Sequence, residues 1–278
     1  MNIIVRIHSF ILRVIWVIVL ASCATAPPPV VEPPKIEPPK PEYIQVAQQD
    51  AENIGQKIWM NEGSGKVENL TFWSPKEAFP SLGIGHFIWY PKGQEGPFKE
   101  QFPSFLQFLE QQKVTLPAWL QNAPDCPWNT RDEFQQAING PQIVELRNLL
   151  KDTIPQQVQF IIRRLELALP EMLQSQPTET KRQQVREQFY QLTKTPKGIF
   201  ALLDYINFKG EGISPKERYQ DQGWGLLQVF EGMPADSKDV VNEFADAAIR
   251  VLTRRVKNAP RDESQWLEGW TKRINGYR

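Results

Sequence analysis

IQVAQQDAENIGQKIWMNEG, residues 44–63, and SLGIGH, residues 81–86, decide how the chain is read. In the first stretch Ile44, Ala47, Ala51, Ile54 and Ile58 recur at steps of three and four, which gives a helix one apolar face. Gly63 and Gly65 then supply a stop, so the helix should end at Asn61-Glu62-Gly63 with a carboxylate in its last turn. Residues 70–90 are rich in aromatic and β-forming side chains, with turn signals at Ser74-Pro75 and Gly83. They predict a short, irregular hairpin region.

Beyond Pro91 the pattern is helical, interrupted by prolines. Helices are expected over residues 102–112, 133–150, 183–192, 240–256 and 266–277, with an apolar stripe of Val158, Ile161, Ile162, Leu165 and Leu169 between. Residues 199–206 form a compact apolar run that should be buried. No internal repeat is present. The expected class is α+β, mostly α.

The other end of the chain is a processing segment. Arg6 and Arg13 precede an apolar run over 14–21, too short to span a bilayer comfortably. Leu20-Ala21-Ser22-Cys23 resembles the bacterial lipobox, which implies cleavage after residue 22 and lipidation of Cys23; the alternative is an ordinary signal peptide. By the same resemblance Ala24 favours the outer membrane. Residues 24–42 are Pro-rich, cannot pack a core and favour extended polyproline II. They predict a tether of roughly 50–60 Å at about 3.1 Å per residue. The expected organisation is therefore a signal peptide over 1–22, a lipidated tether over 23–42 and a folded domain over 43–278.

Composition narrows the chemistry. The 32 basic residues balance the 32 acidic ones, which argues against nucleic acid as a partner. Without residues 1–22, His86 is the one His, and Cys126 the one Cys besides Cys23. That leaves a poor metal site and no internal disulfide, so carboxylates are the richer supply of acid–base groups. No metal or organic cofactor is implied.

Ile58-Trp59-Met60-Asn61-Glu62-Gly63, followed by Ser81-Leu82-Gly83-Ile84-Gly85-His86, resembles the phage-type lysozymes of glycoside hydrolase family 24. In that family a helix ends in a catalytic Glu before Gly, and a small sheet carries Thr-x-Gly-Ile-Gly-His along the cleft. The resemblance implies a lysozyme-like fold, with Glu62 as general acid. Ser81 stands in the place of the Thr, and Gly83, Gly85 and His86 form the following turn. A carboxylate at a helix C-terminus faces the negative end of the dipole, and burial beside Trp59 or Trp73 would further disfavour its charged form. Of the nine Trp, these two are the better placed for a cleft, whereas Trp266 and Trp270 are expected to pack inward.

The family also places an Asp between the Glu and the Thr. Only Glu68 and Glu77 lie there in this chain, and Glu77, nearer the turn, is the expected stand-in. If Glu77 does not serve, a lytic transglycosylase route needs only one carboxylate. Residues 202–212 resemble the buried helix of phage lysozymes that ends in Asn-x-Gly, and 247–257, with Arg250, Arg254 and Arg255, their basic closing helix. Residues 89–197 lack a counterpart and are expected to form an enlarged helical lobe.

A second likeness, over Gln222-Gly223-Trp224-Gly225-Leu226-Leu227-Gln228, is to the cleft segment of goose-type lysozymes and lytic transglycosylases. It implies Tyr219, Trp224 and Gln228 as sugar contacts and Glu211 as a rival acid. Two functions follow as expectations. One is a tethered enzyme cutting peptidoglycan glycan strands between MurNAc and GlcNAc. The other is a non-catalytic peptidoglycan-binding lipoprotein on the same fold, anchored in the envelope.

Overall fold

The computed structural model describes residues 44–278 except Pro97, Asn122 and Ser237. The signal peptide, Cys23 and the Pro-rich tether lie outside the described residues.

Ten helices and two small antiparallel sheets make up the described chain: a mostly helical α+β protein. The first helix, α1 (Gln48–Gly63), ends where the glycines place it. Ser64 turns left-handed at φ 51°, and the Ser64 and Gly65 N–H groups close on the carbonyls of Met60 and Trp59. Its start is later than the periodicity suggests. Ile44 stays outside the helix because its backbone is held by α5 (Ile154–Gln174): its N–H donates to Glu166 and its carbonyl accepts from Gln159.

The predicted hairpin region is a three-stranded sheet of β1 (Thr71–Phe72), β2 (Ser81–Leu82) and β3 (Phe87–Ile88). Register pairs Thr71 with Leu82 and Leu82 with Phe87, all three buried. The alternate row, Phe72, Ser81 and Ile88, faces outward, as the twofold period of a strand requires. Gly83 closes the turn at φ +68°, and a Cβ there would meet Gln157 Oε1 at 2.2 Å. Glycine is thus demanded twice at this point, by conformation and by space.

The next helices are α2 (Phe102–Gln111), α3 (Arg131–Gln136), α4 (Pro141–Asp152) and α5. The single helix expected over 133–150 is two, because Pro141 has no N–H to continue α3 and serves as the first residue of α4. The α6 (Glu179–Leu192) and α7 (Pro196–Lys209) helices begin earlier than their apolar residues indicate, at Thr178 and Thr195, whose hydroxyls cap Lys181 and Gly198 N–H. A two-stranded turn, β4 (Arg218–Tyr219) and β5 (Gln222–Gly223), leads to α8 (Leu226–Glu231), α9 (Val240–Asn258) and α10 (Ser264–Asn275).

Residues 89–197, expected to form an enlarged helical lobe, carry α2 to α6. Residues 44–278 belong to one compact unit, and α5 packs along α1 within one continuous hydrophobic core. At the crossing of these helices Gly55 permits close approach, since a Cβ there would meet Ile154 Cγ2 at 2.2 Å. Among the described residues no helix is long and apolar enough to cross a membrane.

Candidate active site

Glu62 ends α1 facing α10 and the β2–β3 turn. Its Oε1 is engaged by the guanidinium of Arg273, and its Oε2 lies 3.6 Å from His86 Nε2. The Glu62 and Arg273 side chains are 16% and 15% exposed, whereas His86 is 58% exposed. One oxygen of the carboxylate is thus held from inside, and the other is turned toward an open side chain.

Arg273 is itself held by Asp204, a wholly buried carboxylate on α7. Asp204 accepts from Arg273 Nε at 2.7 Å and Nη2 at 2.9 Å, from Tyr277 Oη at 2.7 Å and from Asn61 Nδ2 at 2.9 Å. Burial disfavours the Arg273 charge, but the hydrogen bonds and charges of Asp204 and Glu62 outweigh it and hold its proton more firmly than usual. The Tyr277 hydroxyl is pushed far up, first by burial and then by the Asp204 charge. This is a rigid clamp.

The turn opposite is also fixed. Ile84 N–H donates to Gln157 Oε1 at 2.9 Å, and Ile84 O accepts from Asn207 Nδ2 at 3.3 Å. His86 follows with φ 49°, an uncommon conformation for a side chain with a Cβ. The carboxylate of Glu62 therefore meets a cation and an imidazole, not the tryptophans expected to desolvate it.

Those tryptophans are committed elsewhere. Trp59 and Trp73 are buried, and their indole N–H groups donate to Lys66 O and Glu77 O. Trp73 packs edge-on against Phe134 and is a core residue, not the sugar contact expected of it. Glu77 lies exposed in the loop between β1 and β2, and none of its contacts reaches Glu62. Ser81 sits in the outward row of the sheet between Phe72 and Ile88.

The second expected constellation turns inward as well. Gln228 is buried, accepting from Gly225 N–H and donating to Gly212 O, so it closes the start of α8. Trp224 is buried against Tyr219 and lies beneath the Arg255 guanidinium at 4.2 Å. Tyr219 donates to the buried Glu263 at 3.0 Å. All three already use polar atoms or ring faces within the fold. Glu211 is half-buried, and its pKa is raised by that burial, with Arg164 opposing and Glu171 adding to the effect. Trp266 also departs from expectation: it is 39% exposed rather than packed inward.

Sequence reading missed Asp204 and Arg273. The signal for Asp204 was present, since an acid inside the apolar run 199–206 must find partners when buried. Arg273 had no local signal. No protein-family model matches this chain, nor does any curated protein or solved structure compared with it.

Proposed function

We propose that this chain is a peptidoglycan glycosidase with a lysozyme-like fold and Glu62 as its general acid, tethered at the envelope through a lipidated Cys23. The observation that carries this reading is the two-sided setting of Glu62: Oε1 clamped by Arg273, Oε2 facing the exposed His86. Oε2 is then the oxygen that delivers the proton. It protonates the glycosidic oxygen, the bond from that oxygen to C1 breaks, and the leaving sugar departs as an alcohol.

Two routes complete the reaction. Water attacks C1 in a hydrolase, whereas the sugar's own 6-hydroxyl attacks in a lytic transglycosylase and returns its proton to Glu62. A base on the opposite face of the sugar needs about 6.5–9.5 Å of separation from the acid, to leave room for water. His86, at 3.6 Å from Glu62, is too close for that part, and Glu77 has no contact with the site. A single carboxylate serving as acid and then base suits these residues better, which favours the transglycosylase route.

The test is digestion of purified peptidoglycan by the chain and by Glu62→Gln, read by mass spectrometry. Fragments with 1,6-anhydro ends, lost in the variant, support the transglycosylase; reducing ends make it a hydrolase. Glu211→Gln runs beside them, because its raised pKa makes Glu211 the second reading. Inactivation by that variant in place of Glu62→Gln moves the site. No release by any form, with binding to sacculi intact, leaves the non-catalytic wall-binding lipoprotein.

His86→Asn gives a further expected result. Asn tolerates the left-handed backbone at this position, so thermal stability should hold within a few degrees. The cleavage rate should fall by about a hundredfold, the lower end of the range for a group that assists proton transfer. An unchanged rate would remove His86 from the chemistry.

A further inference from the structure

Lys209 closes α7 beside the clamp, and its environment is unusual for a lysine. A lysine in the last turn of a helix ordinarily reaches into water while offsetting the helix dipole. This one is 9% exposed, with Nζ 3.8 Å from the centroid of the Phe208 ring and 3.6 Å from that of Trp270. Its ammonium makes no hydrogen bond among the described residues, although it carries three donors.

The flanking charges are cations. Arg273 lies over the Phe208 ring, 4.2 Å from its centroid, and Arg255 lies 5.1 Å from that of Trp270. The nearby carboxylates are already bonded: Asp204 and Glu62 to Arg273, and Glu263 to Arg255, with Arg261 alongside. Burial first, then Arg255 and Arg273, press the Lys209 pKa down to about 7. One cation in this group is left without an anion.

We propose that Lys209, with Arg255 and Arg273 beside it, is a receptor for a carboxylate carried by the substrate next to the bond that Glu62 cleaves. The inference rests on the glycosidase reading, in which the polymer bears carboxylates on the 3-lactyl group of its muramic acid or on the attached peptide. A carboxylate supplies the acceptor that Lys209 lacks and offsets the surplus positive charge. Phe208 and Trp270, each half-buried, form the apolar wall of the receptor.

The test compares N-acetylmuramic acid, which carries the lactyl carboxylate, with N-acetylglucosamine, which lacks it. Binding is measured by calorimetry at pH 6, where the ammonium is charged. The acid should bind about tenfold more tightly, the range of one charge-assisted hydrogen bond. Lys209→Met, which keeps the bulk between the rings, should remove that preference. Equal binding of the two sugars, or an undiminished preference in Lys209→Met, overturns the proposal. Inorganic phosphate competing where the acid does not bind overturns it also, since the wall carboxylate is then not the ligand. These measurements need no cleavage. Glycan release that depends on Glu62 without a carboxylate preference defeats this site alone, and a carboxylate preference without release defeats the glycosidase.

Discussion

Asp204→Ala should destabilise the protein by about 3–5 kcal/mol, the range for breaking a buried ion pair from one side. Four hydrogen bonds end on this carboxylate, from Asn61, Tyr277 and two nitrogens of Arg273. Alanine removes both acceptor oxygens, and all four bonds with them. It leaves the Tyr277 hydroxyl without its partner in a buried position and Arg273 with Glu62 alone. Asp204→Asn retains an acceptor but not the charge and should cost less. Urea unfolding of the two variants checks both statements, and a loss under about 1 kcal/mol for alanine would mean that the clamp does not hold the fold. Under the proposed glycosidase reading, glycan cleavage should fall in parallel, because an unclamped Arg273 no longer fixes one oxygen of Glu62.

Lys209→Met should do the opposite and stabilise the protein. In the unfolded chain the lysine titrates near its ordinary value of 10.5, and in the folded protein near 7. Below about pH 7 both states are protonated, and the folded state bears the whole cost of the buried charge. As pH rises toward 10.5 the folded lysine is already neutral while the unfolded one still binds its proton, so the cost is progressively relieved. Above that range it is gone. Methionine should therefore add about 2–4 kcal/mol at pH 6, after some loss of ring–cation attraction, and almost nothing at pH 11. Unfolding midpoints measured across that range test it. A gain independent of pH would point to better packing instead of a relieved charge.

Local structure was legible where a single physical rule decides it. Glycines and the three-four apolar spacing ended α1 at Gly63, just past Glu62, and the aromatic stretch after Leu70 gave the small sheet. The break at Pro141 was equally visible, since proline opens helices more readily than it continues them. It was overridden by an apolar pattern that runs through both halves. Start points missed at Thr178 and Thr195 have the same origin: caps are polar and leave no trace in an apolar period.

The site was legible only by half. Glu62 and His86 lie in the two stretches that drew attention first, and they do meet. Trp73, Trp224 and Gln228 are buried, because the chemistry that suits them to sugars suits them equally to a core. The Trp73 indole fills volume and donates one bond, and the Gln228 amide closes a helix start. Arg273 is one of 32 basic residues, and only the fold distinguishes it from the others.

The separation of Glu62 from Arg273 bears on when such a site comes into being. The carboxylate belongs to the first helix and its guanidinium partner to the tenth, 211 positions later. A chain made from its N-terminus presents the carboxylate long before the group that orients it. Tyr277, which completes the hold on Asp204, comes later still. The Glu62 clamp is thus assembled last. Under the proposed glycosidase reading a cell gains from this order, since an incomplete or stalled product would be blunt against its own wall.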